Sequence, residues 1–592
     1  MVAKGAKVLV LEKYTIPGGS AGYFERDGYT FDVGSSMMFG FGNRGTTNLI
    51  TQCLESVGKR METVLDPTQV HYHLPTSERF RGGLGIKVHH KYEEFMLELV
   101  ERWPHEEAGI RAFYGDAWEI FNALNAMELK SLEEPRYLMQ QLVRLPIGCL
   151  KLFTWLTTNT GDVARRHIKD PELLRFIDME CFIFATVGAD RTPMVTSGMV
   201  MCDRHYGGIR YPVGGVGRIA RTVAEGITEA GGAIAYKANV QRIVLDDAGS
   251  SVGVALTDGT VYRAKVVISN ATRWDTFEKM VGDQALPESE KLFRSRYKKS
   301  PSFFSMHLGV RADVIAPGTD CHHVILEDWT KMEAACGTIF VSMPSLLDPS
   351  LAPDGHHVVH AFTPDWIDSW TGLSPEEYER EKEVLCAQLI TRMEAVFPGL
   401  GAAVTFKEIG TPRTHRRFLN RADGTYGPIP SRAPLGVVTM PFNTTDIPGL
   451  YCVGDSTFPG QGVNAVVFSG FSCAHRALVD IGLEEGWPLV DQGFRALLKG
   501  ARTFAQRMAA PAGGAPDAAD GDVRGSGAPV GVRTGVRTPA PALVAAVPAP
   551  APVARGNILA FEKDGAATGA GSGADGERRR SPSRSSSPAR RE

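Results

Sequence analysis

The chain has 592 residues, 43% hydrophobic and 22% charged, with a net charge of -3, enough apolar material for a large core and more than one domain. That charge gives no electrostatic case for nucleic acid. The nine cysteines are scattered without a C-x-x-C pair, which argues against a disulfide framework and against a structural zinc site.

In chain order, Lys7-Val8-Leu9-Val10-Leu11-Glu12 reads as a buried parallel strand with a carboxylate at its carboxyl end. In a dinucleotide-binding fold such an acid hydrogen-bonds a ribose hydroxyl, about 20 residues beyond a Gly-rich phosphate turn. Only eleven residues precede Glu12. Either the strand means something else, or the chain opens in the middle of a nucleotide-binding unit. Met1 to Lys7 leads straight into that strand and reads as neither signal nor transit peptide.

Residues 6–45 continue as strand, loop and hairpin, dense in glycine and aromatics. From about 88 to 205 the pattern is mostly helical, with amphipathic segments at 93–102 and 117–129. Residues 136–157 mix many apolar side chains with Arg136, Arg144 and Lys151. The preferred reading is a core helix pair broken at Pro146 and Gly148. The other is an amphipathic segment that rests in a membrane interface or walls an apolar substrate channel. No uncharged apolar stretch reaches 18 residues, so no transmembrane helix is expected.

Residues 211–271 return to an α/β rhythm: Ile219, Val223 and Ile227 share a helix face, and Gly231-Gly232 ends that helix. A strand running to Val240 follows, then one at 241–245, a hairpin around Thr257-Asp258-Gly259-Thr260, and a buried strand at 264–269. Strands are expected at 303–310, 338–343 and 357–362, and a helix at 375–396. A final ordered unit, 447–495, supplies a strand into Gly454-Asp455 and a helix over 463–481. Beyond about 510 the composition falls to Ala, Pro, Gly, Arg and Ser, which cannot offset its ordering entropy, so a disordered tail is expected.

Three separated pieces fit one cofactor. Glu12 with Gly18 and Gly19 offers a ribose acceptor and a backbone able to approach a diphosphate. Val240 offers backbone contacts beside an adenine. Asp455 can accept from a ribityl hydroxyl, and Gly462-Val463 opens a helix whose free N–H groups suit a flavin carbonyl or phosphate oxygen. Singly each is an ordinary strand end, turn or cap; together they point to flavin. Gly18-Gly19-Ser20-Ala21-Gly22 also matches the nucleophile elbow of serine hydrolases, but a five-residue spacer separates it from the strand and β-like sequence follows it. The pairs His89-His90, His322-His323 and His356-His357 diverge in any regular element and are poor metal candidates, so no metal is expected.

The runs EKYTIPGGSAGYFERDGYTFDVGSSMMFGFGNRG (12–45), RHYGGIRYPVGGVGRIA (204–220), RFLNRADGTYGPIPSR (417–432) and GLYCVGDSTFPGQGVNAVVFSGFSCAHRAL (449–478) resemble the plant and algal carotenoid isomerases, also called prolycopene isomerases. These are relatives of phytoene desaturases within the amine-oxidase-like flavoproteins, and the resemblance covers roughly residues 6 to 490. It implies an α/β fold of two parts: a Rossmann-like FAD-binding domain from 1–75, 205–275 and 447–495, and an α+β substrate domain from 76–204 and 276–446. It implies FAD-dependent cis-to-trans isomerisation of poly-cis-lycopene to all-trans-lycopene, with FAD in its reduced form. The alternatives are a desaturase or retinoid saturase on the same fold, and a non-catalytic remnant. Glu408 and Arg413 are the candidates for acid/base and charge-positioning roles, against a solvated salt-bridge cluster, and Tyr426 is a candidate to face the polyene. The resemblance further implies a plastid location and peripheral membrane association. Relatives carry a strand and G-x-G-x-x-G turn before the helix seen here only as Ala3-Lys4-Gly5; on this reading the first strand and phosphate turn are absent, and weak or no FAD retention is expected.

Overall fold

In the computed structural model, which describes residues 1–282, 286–430 and 440–508, the apolar run before Glu12 forms the strand Leu9–Glu12. It pairs in parallel with Ala233–Tyr236, Leu9 opposite Ala233 and Glu12 opposite Tyr236. A second parallel pair joins Val267–Ser269 to Leu450–Cys452. Parallel strands need a long crossover, and the crossovers here are the whole intervening chain. Between the two pairs in sequence lies an antiparallel three-stranded sheet of Val240–Leu245, Ser251–Leu256 and Val261–Arg263. The helix Gly217–Glu229 buries Ile219, and Gly231 follows it with φ 88°, a left-handed value that favours glycine.

The second architectural unit is a seven-stranded mixed sheet. Its order is Val404–Gly410, Ser302–Arg311, His356–Asp365, Ile339–Ser342, His322–Ile325, Thr68–Leu74, Leu84–His89. Thr68–Leu74 falls inside the segment that sequence assigned to the cofactor domain, yet it pairs in parallel with His322–Ile325 in this sheet. Sequence reading also passed over Leu84–His89 and Val404–Gly410. One face of the sheet packs on helices from 92–206, with Phe95, Trp103, Phe113, Phe121 and Phe176 buried together. The other packs on Pro375–Met393 through Cys386, Leu389 and Met393. That helix starts with a capping box of Ser374 and Glu377, which satisfies donors the first turn leaves free.

An ion pair lies inside the helical layer. Arg204 and Glu180 are 5% and 2% exposed, and Arg204 reaches both carboxylate oxygens of Glu180 while the Tyr72 phenol donates to one of them. Charges this deep persist only when paired and hydrogen-bonded.

The preferred reading of 136–157 is overturned. Helices Pro135–Arg144 and Pro146–Trp155 do break at Pro146, but the second buries no residue. Val143, Ile147, Leu150 and Phe153 are 75%, 71%, 66% and 71% exposed. Those four side chains point out, while Leu152 and Trp155 on the second helix pack against the helical core. A helix Pro488–Met508, not anticipated from sequence, lies against Pro135–Arg144 and exposes Leu489 and Leu497. No helix among the described residues is long and apolar enough to cross a membrane. The tail beyond 510 lies outside the described residues.

Candidate active site

The glycine-rich turn after the first strand is a short 3-10 turn, Gly19–Ala21. Gly18 has φ 121°, and a Cβ there would sit 3.0 Å from the Ala21 carbonyl oxygen, so the turn needs glycine. The hairpin Tyr23–Arg26 and Tyr29–Asp32 follows where a serine nucleophile would require a helix. Ser20 Oγ is buried beside the Tyr426 hydroxyl, without a well-formed hydrogen bond among the described residues. The turn packs against the helix Pro412–Leu419.

That helix carries the polar centre of the site. Its buried face is Pro412 and His415, one turn apart, and Thr411 with Thr414 caps its start. His415 Nδ1 lies 3.1 Å from the Tyr426 hydroxyl, and its Nε2 lies 3.5 Å from Ser305 Oγ. Arg421 donates through Nε to the Thr425 carbonyl at 2.5 Å and pairs with Asp455. Its guanidinium stands 5.3 Å from the centre of the Tyr426 ring. Burial pushes the His415 imidazole down to about 3 and the Tyr426 phenol up to about 12. Near neutral pH both are uncharged: the pair can hold or pass a proton without placing a net charge in an apolar site.

From Tyr426 a run of rings crosses the large sheet. Tyr426 to Phe303 is 5.0 Å between centroids, Phe303 to Phe362 is 5.1 Å, and Phe362 to Phe340 is 5.0 Å. The row ends on Phe182 at 6.1 Å. Phe340 and Phe362 are register partners on adjacent strands, which puts their side chains on one face. Phe303 and Phe362 are only half-buried, so the row is a wall rather than closed core. Such a surface suits a long unsaturated hydrocarbon, which offers no hydrogen-bond handle.

On the cofactor side, Glu12 ends its strand with Oε1 accepting from the Tyr14 N–H at 2.7 Å, leaving Oε2 for a ribose hydroxyl. Val240 starts its strand half-buried. Gly462 caps the 18-residue helix Val463–Asp480 at φ 102°, and a Cβ there would meet nothing within 4 Å. On the first turn of that helix, Asn464 Oδ1 is buried without a partner among the described residues. Open backbone at Gly19 and Gly462, a free carboxylate oxygen, a long helix N-terminus and the orphaned Asn464 Oδ1 make a set of polar groups that fits a dinucleotide flavin. Asp455 is less free than expected, since one of its oxygens is held by Arg421.

Glu408 and Arg413 sit elsewhere. Glu408 lies on the outer strand of the sheet, its side chain 48% exposed and 3.8 Å from Arg26; Arg413 stacks 4.5 Å over the Tyr378 ring. Sequence reading stopped two residues short of His415. The signal was available: within PRTHRRFL the uncharged Pro412, His415 and Leu419 fall on one helix face at i, i+3 and i+7.

Comparison with known proteins identifies the family. Residues 1–478 match the family described as flavin containing amine oxidoreductase. The chain is 57% identical over 507 residues to the chloroplastic prolycopene isomerase of Arabidopsis thaliana, covering 85% of this chain and 84% of that protein. It is 55% identical to the chloroplastic prolycopene isomerase of Daucus carota, covering 85% and 81%. Among solved structures, a Methanosarcina mazei oxidoreductase superposes with a TM-score of 0.51 at 18% identity, over 79% of this chain and 95% of that one, a likeness of fold alone.

Proposed function

We propose a function on the premise that this chain belongs to the flavin containing amine oxidoreductase family, and within it to the prolycopene isomerases. It is an enzyme that binds FAD and isomerises cis double bonds of poly-cis-lycopene to give the all-trans polyene. The single observation that carries the reading is the neutral His415–Tyr426 pair at the head of the Phe303–Phe362–Phe340 row. When bound, reduced FAD supplies a reversible reducing equivalent that lowers bond order in the conjugated chain.

The residues do the rest. Phe303, Phe362 and Phe340 hold the polyene by dispersion and exclude water from it. Tyr426 and His415 hold a proton beside the chain in uncharged form, so rotation about a weakened bond proceeds without a buried charge left behind. Arg421, fixed between Asp455 and the Thr425 carbonyl, positions the Tyr426 ring. Glu12, the 18–19 turn, Val240, Asp455 and the Gly462-Val463 helix start hold the cofactor. On this reading the cofactor part is built from the chain before Thr68, 205–275 and 447–495, and the remaining described residues up to 446 form the substrate part.

The enzyme works in the plastid, at a membrane surface. The exposed face of Val143, Ile147, Leu150 and Phe153 supports this, because an interfacial helix buries such a face among acyl chains, and the substrate itself dissolves only there. Full-length protein reconstituted with reduced FAD and given poly-cis-lycopene tests the proposal by chromatography of the products. All-trans product with an unchanged number of conjugated double bonds is expected. A product with more or fewer double bonds would make the chain a desaturase or saturase and overturn the reading.

A further inference from the structure

Adjacent histidines on a strand face opposite ways, and His322 and His323 do so, each meeting a different set of donors. His323 joins His71 and His73, a group already satisfied. His73 Nε2 to His323 Nδ1 is 3.0 Å, and His323 Nε2 to the Asp320 carbonyl is 2.8 Å. His71 Nδ1 and the Lys87 ammonium each lie 3.0 Å from Asp320 Oδ2. A cation there would compete with a lysine that already holds the carboxylate.

His322 is different. It meets Asp66 and Cys321, and the three are 1%, 2% and 2% exposed. Their donor atoms lie within 4.8 Å of one another. His322 Nδ1 is 3.0 Å from Ser342 Oγ, and Asp66 accepts from the Thr68 N–H through Oδ1 at 3.2 Å. Those bonds leave Nε2 of His322 and Oδ2 of Asp66 facing each other at 3.7 Å, too far for a hydrogen bond, and both lack any partner among the described residues. Buried polar atoms are rarely left this way. With Nδ1–H donating to Ser342, the remaining lone pair of His322 would point straight at a carboxylate oxygen, which is repulsive unless something positive stands between them.

We infer that Asp66, Cys321 and His322 form a binding site for one divalent transition-metal ion, zinc being the best match to one nitrogen, one oxygen and one thiolate donor. Carboxylate, thiolate and neutral imidazole carry two negative charges, so a divalent ion leaves the buried set neutral. Tetrahedral zinc with ordinary bond lengths keeps its ligand atoms roughly 3.3–3.7 Å apart; the Asp66–His322 separation of 3.7 Å already meets this, and Cys321 Sγ, now 3.9 Å from His322 Nδ1, would have to rotate toward the Nε2 side to close on the ion. Ser342 then acts as the outer partner that fixes the histidine tautomer, as metal-bound imidazoles require. The ion would tie the residue two positions before the Thr68–Leu74 strand to the first residue of its parallel neighbour, His322–Ile325.

Elemental analysis of the purified full-length chain is expected to find zinc in near-stoichiometric amount. After chelation, titration with cobalt(II) should give a thiolate-to-cobalt charge-transfer band that saturates at a single equivalent. Cys321→Ser should lose the band, whereas Cys149→Ser and a His71→Asn/His73→Asn double variant should keep it. Sub-stoichiometric metal together with no cobalt band in the wild-type chain would overturn the proposal, whatever the variants do. A band that survives in Cys321→Ser, or vanishes in the His71/His73 variant alone, would also overturn it.

Discussion

Replacing Ile147 and Phe153 together by aspartate removes two of the most exposed apolar side chains on the Pro146–Trp155 helix. Each is 71% exposed, and full burial of such a side chain is worth about 1.5–3 kcal/mol. Scaling by exposure gives about 1–2 kcal/mol each, hence about 2–4 kcal/mol for the pair and a loss of membrane partitioning of roughly 30- to 700-fold. The new carboxylates add to this by their cost at the acyl boundary. Neither side chain is part of a buried cluster, so fold stability should change by only about 0.5 kcal/mol. The assay is flotation of the full-length chain with vesicles of plastid lipid composition, alongside isomerisation of substrate carried in vesicles and in detergent. Vesicle binding and turnover of vesicle-borne substrate should fall together, while turnover of detergent-dispersed substrate stays unchanged. Vesicle binding by the double variant equal to that of the wild-type chain would refute the assignment of this face to the membrane.

Other outcomes follow from the same geometry. Tyr426→Phe removes the hydroxyl 3.1 Å from His415 Nδ1 and should lower turnover by about 10²-fold or more if the pair moves a proton, with the flavin absorbance of the reconstituted protein unchanged; Glu408→Gln, on the exposed outer strand, should leave turnover as it is. Arg204→Met strands Glu180 as an unpaired buried charge, which costs about 3–5 kcal/mol and should appear as a large fall in thermal midpoint. His307 and His360, stacked at 4.5 Å, are both held neutral by burial, His307 down to about 4. The unfolded chain therefore binds more protons at these residues as pH falls below the ordinary histidine value of about 6.5. Their contribution is present above that value and drains away as pH drops toward 4, so denaturant midpoints should decline over that window and decline less in His307→Asn.

The parts of the fold that were legible share one property: their pattern is local. An apolar run ending at Glu12, a helix ended by Gly231 and a strand feeding Gly454-Asp455 announce themselves within a dozen residues, and each forms where expected. Thr68–Leu74 carries the local signal of a strand, since VHYHL alternates apolar residues with histidine, but its place in the large sheet is not local, because its parallel partner lies about 250 positions away. The exposed helix at 146–155 misled for a related reason. Hydrophobic content alone reads as core, and only the folded packing shows that Leu152 and Trp155 turn inward while Ile147, Leu150 and Phe153 face outward.

The site shows the same limit in a sharper form. Glu408 and Arg413 stood out as charged groups that could act on a cofactor or a transient cation, yet Glu408 ends on the surface beside Arg26 and Arg413 stacks half-buried on Tyr378. The groups that do face one another, His415, Tyr426, Arg421 and Asp455, come from a helix, two loops and a strand end. Their chemistry depends on burial that no single stretch encodes. His322 and His323 carry the lesson furthest. Side-chain alternation correctly says that adjacent histidines diverge, and divergence was a reason to discount them as ligands. In the fold that same divergence sends one imidazole to Asp66 and Cys321 and the other to His71 and His73, so the rule that weakens a dipeptide as one site gives each of its imidazoles different surroundings.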